Sequence, residues 1–384
     1  MKARKTIALI LALSLAVALI AGCGGDGGSS PAPANPAAPA SPAPGGNNQQ
    51  APGTDAPPPP PSDNTVYRFN VSFSMPEFSA PEMIAVFDRI QEASNGRIEF
   101  THYFSWSLTS VPTCIDDLNA NLVDICVVPI HEHVNLFPLS SLITVTPFLG
   151  FDPFYVIGAM YDEMINEWPE LAQEYTSNGV KYWTNIPMPA YNIYTTGNHN
   201  IRVPGDLRGL RLLSGTELAR RFIQAQGGAP VFSPVTEYAT SLNSGVVDGA
   251  VTHANLLRAV GSLDFIEAGT LFAEAGVHAA IMAWLFSQQA WDSLPADLQQ
   301  LFTNEAEAMR DGHAQWDYNS HSGNIAAIEG EGGELIRLTY DEIKAWEDAF
   351  ASLADEYIQE LIGNGHTSAQ AVYDAIKAKV DASR

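Results

Sequence analysis

The chain has 384 residues, with 43 acidic against 19 basic side chains and a formal charge of −24. That balance argues against nucleic acid and anionic lipid surfaces as partners. The length is more than a single core usually serves.

Lys2, Arg4 and Lys5 precede an apolar run over residues 7–20 that only Ser14 interrupts, and Ile20-Ala21-Gly22-Cys23 follows. A basic start, an apolar segment too short for an ordinary span and a small-residue cleavage site predict a secretory signal over residues 1–23. The cysteine at its end resembles a bacterial lipobox, which implies that Cys23 becomes the lipidated N-terminus. A soluble signal with an incidental cysteine is the alternative. Removing the signal takes away three basic and no acidic residues, leaving the exported chain near −27.

Residues 24–64 hold twelve of the 26 prolines among Ala, Gly, Ser and Asn, with Asp26, Asp55 and Asp63 as the only charges. Such a segment cannot bury a core and is expected to be a disordered tether. It would reach roughly 130 Å fully extended and average about 35 Å as a coil.

The folded part is expected over residues 65–384. Residues 66–73 read as a strand, and Ser79 and Pro81 open a helix whose Met83, Val86, Phe87 and Ile90 keep the i, i+3, i+4, i+7 spacing. Asn95-Gly96 ends it, and residues 97–103 alternate as a second strand. A helix near 112–121 leads into the apolar run 123–128, suited to a central parallel strand. This order predicts a doubly wound sheet. A second block follows, with strands expected at 180–186, 191–196, 210–213, 230–232 and 246–251, and helices near 216–226 and 235–243. Residues 278–287 form another apolar run and a candidate return crossing. A long helix follows Leu294-Pro295 towards residue 328, with further helices near 340–362 and 368–382. Cys114 and Cys126 read as buried free thiols, with a disulfide as the alternative in an oxidising compartment.

Asp206-Leu207-Arg208-Gly209-Leu210-Arg211-Leu212-Leu213, then Gly228-Ala229-Pro230 and Gly245-Val246-Val247-Asp248-Gly249, resemble the core signature of the DctP-type solute-binding proteins of TRAP transporters. Ser94-Asn95-Gly96-Arg97-Ile98-Glu99, Phe137-Pro138-Leu139 and Ser293-Leu294-Pro295-Ala296-Asp297 extend the resemblance in the same order, over residues 66–380. It implies a two-lobed α/β, periplasmic-binding-protein-like fold with a long helix spanning both lobes. Lobe I would hold about 65–190 plus 279–318, and lobe II about 191–278 plus 319–384. The function implied is extracytoplasmic capture of a small molecule in the interlobe cleft and delivery to TRAP permease membrane subunits. The only membrane attachment would be the lipid anchor. A ligand-sensing lipoprotein without transport is the runner-up.

The departures from the family pattern are informative. Leu213 falls where the family's carboxylate-clamping arginine lies. A second arginine, used by acid-sugar binders, is replaced near Ile193, and Thr252 stands in for a frequent asparagine. Arg211 shares a strand face with Leu213, so an organic acid held by a displaced clamp is the alternative; the favoured reading keeps Arg211 at the lobe surface. The ligand is therefore expected to be neutral, cationic or aromatic rather than a simple carboxylate.

Aromatics at strand exits and crossings supply candidate cleft walls: Phe73, Trp106, Tyr191, Phe232 and Trp284. His253, after Thr252, is a candidate donor to the ligand. His131-Glu132-His133 reads as a surface turn with solvated histidines rather than a metal site. No nucleophile elbow, phosphate loop or metallopeptidase helix is present, so neither enzymatic activity nor a cofactor is expected.

Overall fold

The computed structural model describes residues 65–150, 154–273, 276–278 and 280–383. The signal, Cys23 and the tether at 24–64 lie outside the described residues. The strands in chain order are β1 (Tyr67–Ser72), β2 (Ile98–Tyr103), β3 (Ile125–Pro129), β4 (Val180–Pro187), β5 (Asn192–Thr195) and β6 (Arg211–Ser214). They continue with β7 (Ala229–Val231), β8 (Gly249–Thr252), β9 (Ala268–Leu271), β10 (Ile281–Ser287) and β11 (Glu334–Arg337).

Two sheets result. Lobe I carries the order β2-β1-β3-β10-β4, and lobe II carries β11-β9-β5-β8-β6-β7. In lobe I, β1, β2 and β3 run parallel, whereas β10 is antiparallel to both β3 and β4. Every residue of β3 and of β10 is buried, as central strands covered on both faces require. The helix Pro81–Ala93 starts with proline in its first turn and buries Met83, Val86, Phe87 and Ile90 against that sheet. Asn95 (φ 54°) and Gly96 (φ 80°) then turn the chain out of the helix through the left-handed region.

The lobes are joined by two antiparallel crossings. Met188 N–H donates to Ala280 O (2.8 Å), and Val277 N–H donates to Tyr191 O (2.7 Å). A third segment lies beside them, with Phe148 N–H donating to Val277 O at 2.7 Å. Gly276 (φ +68°) is confined to glycine here, because an added Cβ would stand 2.6 Å from Tyr191 O.

The helix Ala296–Gly330 spans both lobes, about 50 Å at 1.5 Å per residue. Near its start, Phe302 O and Ala306 O accept from Trp183 Nε1 (2.7 Å) and Thr184 Oγ1 (3.1 Å) on β4. Further on, Asp317 Oδ1 and Asn324 Nδ2 bond Asn255 of lobe II at 2.6 and 2.9 Å.

The chain end corrects one expectation. The helix Tyr340–Gly363 begins in lobe II, where Ile343, Trp346 and Phe350 pack with Phe222 and Phe272. Its end leaves that lobe: Ile358 and Leu361 join the lobe I core around Tyr175 and Ile165, together with Val372, Ile376 and Val380 of Ala369–Ser383. Residues 358–383 therefore belong to lobe I, because their apolar stripe completes a core that the lobe I sheet leaves open. Lys379 reinforces the contact with an ion pair to Glu163 at 2.8 Å.

Candidate functional site

The strand register locates the cleft. Pro129, at the end of β3, pairs with Met282 near the start of β10, and Thr252, at the end of β8, pairs with Asn192 at the start of β5. Both partners adjoin the crossings. The carboxyl ends of the parallel strands in each lobe thus face the interlobe junction, where open α/β sheets place their ligands.

Three chain segments leave strands at this junction. From lobe I, β3 runs into the turn Ile130–Glu132 and then His133. From lobe II, β8 runs into His253, whose Nδ1 accepts from Leu256 N–H (3.3 Å) and caps the helix Ala254–Ala259. β6 runs through Ser214 and Gly215 into Thr216, which caps Glu217–Ala225 by accepting from Ala219 N–H at 3.1 Å.

Tyr191, on the first crossing, ties these segments together. Its ring lies 4.1 Å from that of His278 and 5.2 Å from that of His253. Its hydroxyl is held well above the usual phenol range by burial, then by Tyr238 and the charge of Glu132. Glu132 also acts on the Tyr238 hydroxyl, after burial, pushing it up to about 12. The charge of one lobe I carboxylate thus acts on both phenols at the junction.

Two of the imidazoles, His131 and His253, are uncharged. Burial, followed by the neighbouring His278 and His133, pulls His131 down to about 3. Burial, followed by His321, His278 and His131, does the same for His253. Two buried polar atoms of this region, Thr252 Oγ1 and His131 Nδ1, find no hydrogen-bond partner among the described residues. Buried polar atoms are ordinarily satisfied.

No described arginine or lysine joins this group. Arg211 does share the face of Leu213, but it lies two residues nearer the start of β6. There it forks onto Asp248, with Nη2–Oδ1 at 2.7 Å and Nε–Oδ2 at 3.1 Å, and also donates to Gly245 O at 3.0 Å. Arg310 is held by Asp162 and Asp311, and Arg258 by Asn324. Lys181 lies over the Trp291 ring, at the end of β4 far from the crossing. Leu213 is fully buried and packs with Tyr194, Tyr238 and Ala250. An apolar floor stands where a guanidinium would otherwise project.

The remaining expected residues divide. Tyr191, Leu213, Thr252 and His253 come together at the junction. Phe232 stands at the exit of β7, 80% exposed, and Trp106 sits half-buried in the turn after β2, its N–H donating to Phe73 O at 3.0 Å. Phe73 and Trp284 are corrections. Both are fully buried in the lobe I core, edge to face with each other at 5.2 Å and packed on Phe87. The apolar pattern of β10 runs through both of its faces, so alternation could not tell core from cleft. His131 and His133 are a further correction: both are 8% exposed rather than solvated, because the turn folds beneath the junction.

Sequence reasoning singled out neither Glu132 on its own nor Tyr238. Nothing in the local pattern at Tyr238 marks it, since its role comes from where its helix packs. His133 Nε2 stands 3.4 Å from Cys114 Sγ. The neighbouring Cys126 and then His133 help lower that thiol to about 6, against burial. Cys114 and Cys126 are both buried and free. Among the described residues no group of three or more His, Cys, Asp or Glu is arranged to hold a metal ion.

Two α/β lobes, two antiparallel crossings, a helix spanning both lobes and a polar junction at the strand exits define a solute-binding protein of the two-lobed class. The chain belongs to the bacterial extracellular solute-binding protein family 7 (DctP), whose model matches residues 76–360. Among solved structures it is similar to a TRAP solute-binding protein from Rhodoferax ferrireducens in complex with copurified benzoate (16% identity, TM-score 0.72, 82% of this chain and 99% of that one). It is also similar to one from Desulfovibrio salexigens in an open complex (19%, 0.71, 82% and 95%). A third, from Bordetella bronchiseptica with bound mandelate, matches at 19% identity and TM-score 0.69 over 81% and 99%. These likenesses establish the fold.

Proposed function

We propose that this chain is the extracytoplasmic receptor of a TRAP-type transporter, held to the membrane by a lipid on Cys23, and that its ligand carries no carboxylate. It would bind that ligand between the lobes without chemical conversion and present it to the membrane permease subunits. The family supports capture and delivery. Among the described residues no helix is long and apolar enough to cross a membrane, which fits attachment through a lipid.

One observation carries the ligand class: no described arginine or lysine reaches the junction, and Leu213, which stands where the resemblance expects the clamp, is buried. An organic acid held there would lose its hydration without gaining an opposite charge, a cost of several kcal/mol. The solved relatives crystallised with benzoate or mandelate bind acids. Their low identity leaves the ligand of this chain to be argued from its own residues. The alternative clamp, Arg211, is already bonded through both Nε and Nη2 to Asp248.

Calorimetric titration of the purified chain with monocarboxylates, dicarboxylates and acid sugars should give no heat of binding at millimolar concentration. Uncharged and cationic solutes should supply the binders. Tight binding of a simple carboxylate by the wild-type chain would overturn the reading.

A further inference from the structure

Resting on that reading of the ligand class, we propose that Glu132 is the anchor of the site and that the captured solute is a protonated amine. The ammonium would be held by the Glu132 carboxylate from lobe I and by hydroxyl oxygens from the lobe II side of the junction.

Position comes first. Glu132 closes the turn that leaves β3 at the end facing the junction, and its charge is felt at the hydroxyls of Tyr191 and Tyr238. Charge accounting comes second. His131 Nε2 lies 3.9 Å from Glu132 Oε1, and the buried His131 imidazole is uncharged. No described arginine or lysine pairs with Glu132. Its side chain is 42% exposed; burial raises its pKa and the neighbouring His133 lowers it. A partly desolvated carboxylate without an arginine or lysine partner gains when a cation arrives.

Hydrogen-bonding chemistry is the third point. An ammonium has three donors and no acceptor. Carboxylate, hydroxyl and bare imidazole groups can all accept, and Thr252 Oγ1 is buried at the junction with no partner. A carboxylate ligand would meet Glu132 as a like charge, whereas an amine meets acceptors on both sides. The same residue would then draw the two lobes together around the ligand.

The test compares amines with counterparts in which a hydroxyl replaces the ammonium. Ethanolamine, putrescine and tyramine would be paired with ethylene glycol, 1,4-butanediol and tyrosol. Binding would be measured by calorimetry on the full chain at pH 7.5 and low salt. The expected result is that at least one amine binds and its counterpart binds at least tenfold more weakly. Raising the salt should weaken the amine, and Glu132→Gln should bring it down to the level of the counterpart. The ligand-free melting temperature of Glu132→Gln should stay near that of the wild type, which separates a lost anchor from a lost fold. The proposal is overturned by a panel in which no amine binds, by equal binding of amine and counterpart, or by unchanged amine affinity in the variant. Each of those results leaves the non-carboxylate reading standing; binding of carboxylates alone removes both.

Discussion

Acidification from pH 7 to pH 5 should destabilise this protein by about 6 kcal/mol, and the buried histidines set that figure. An imidazole that titrates at 6.5 in the unfolded chain and at about 3 in the folded one takes up its proton only on unfolding across this interval. Such a group stabilises fully above pH 6.5 and loses its contribution as the pH falls towards 3. Over two pH units the loss is about 2 kcal/mol per imidazole. His131, His253 and His313 lie at about 3 and His321 at about 4, giving a loss of about 8 kcal/mol. Asp317 acts in the opposite sense. Burial raises it to about 7, so its contribution is full below 3.8, disappears as the pH rises through 7, and returns about 2 kcal/mol on acidification. His313 Nε2 and Asp317 Oδ2 lie 3.6 Å apart, so these two contributions largely cancel. His131, His253 and His321 leave the net loss.

Calorimetric scans at pH 7, 6 and 5 should show the melting temperature falling by about 9–12 °C, at roughly 1.5–2 °C per kcal/mol for a chain of this size. His253→Asn keeps a helix cap and should flatten the profile by about 2 kcal/mol. Asp317→Asn should steepen it by a similar amount. A flat or rising stability between pH 7 and 5 in Asp317→Asn would refute the argument, because the opposing carboxyl would then be gone.

Three further perturbations follow from the geometry. Gly276→Ala places a methyl 2.6 Å from Tyr191 O at φ +68°. It should cost at least about 2 kcal/mol by denaturant titration and weaken ligand binding, since the strain falls on a crossing. Arg310→Met strands Asp162, which Arg310 Nη1 reaches at 2.7 Å. The expected loss is about 2–4 kcal/mol, and adding Asp162→Asn should recover part of it, as a double-mutant cycle would show. Cys114 and Cys126 are fully buried and should resist a thiol reagent in the native chain at pH 7.5 but react promptly in denaturant.

Periodic elements were legible and context-dependent ones were not. The helix Pro81–Ala93 carries its proline start, apolar stripe and Asn-Gly stop in consecutive residues, so its bounds could be read directly. β9 and β11 escaped notice. Ala268-Gly269-Thr270-Leu271 has little strand propensity, and Gly269 is required by the close approach of Ile193 O, 2.9 Å from where a Cβ would stand. The helices Val156–Glu167 and Pro169–Ser177 were likewise unread. The last helix was placed in the wrong lobe because its stripe shows that it packs, not on what. At the junction, Leu213 was found through a broken family pattern. Glu132 could not be found that way, because only the assembled fold brings its turn, at the end of β3, to the interlobe junction.

Leu213 and Glu132 are two sides of one electrostatic arrangement. Leu213 packs in one cluster with Tyr238, and the charge of Glu132 is felt at the Tyr238 hydroxyl, so both positions bear on Tyr238. On the proposed arrangement, a guanidinium at 213 would pair with Glu132 and spend its fork on the protein rather than on a ligand. An acid-binding site of this geometry therefore needs both changes, Leu213→Arg and Glu132→Gln. The single variant Leu213→Arg should lose amine binding without gaining acids, whereas the double variant should bind a monocarboxylate such as benzoate. If Leu213→Arg alone captures benzoate as well as the double variant does, Glu132 does not face the position of Leu213, and the charge argument for the site fails.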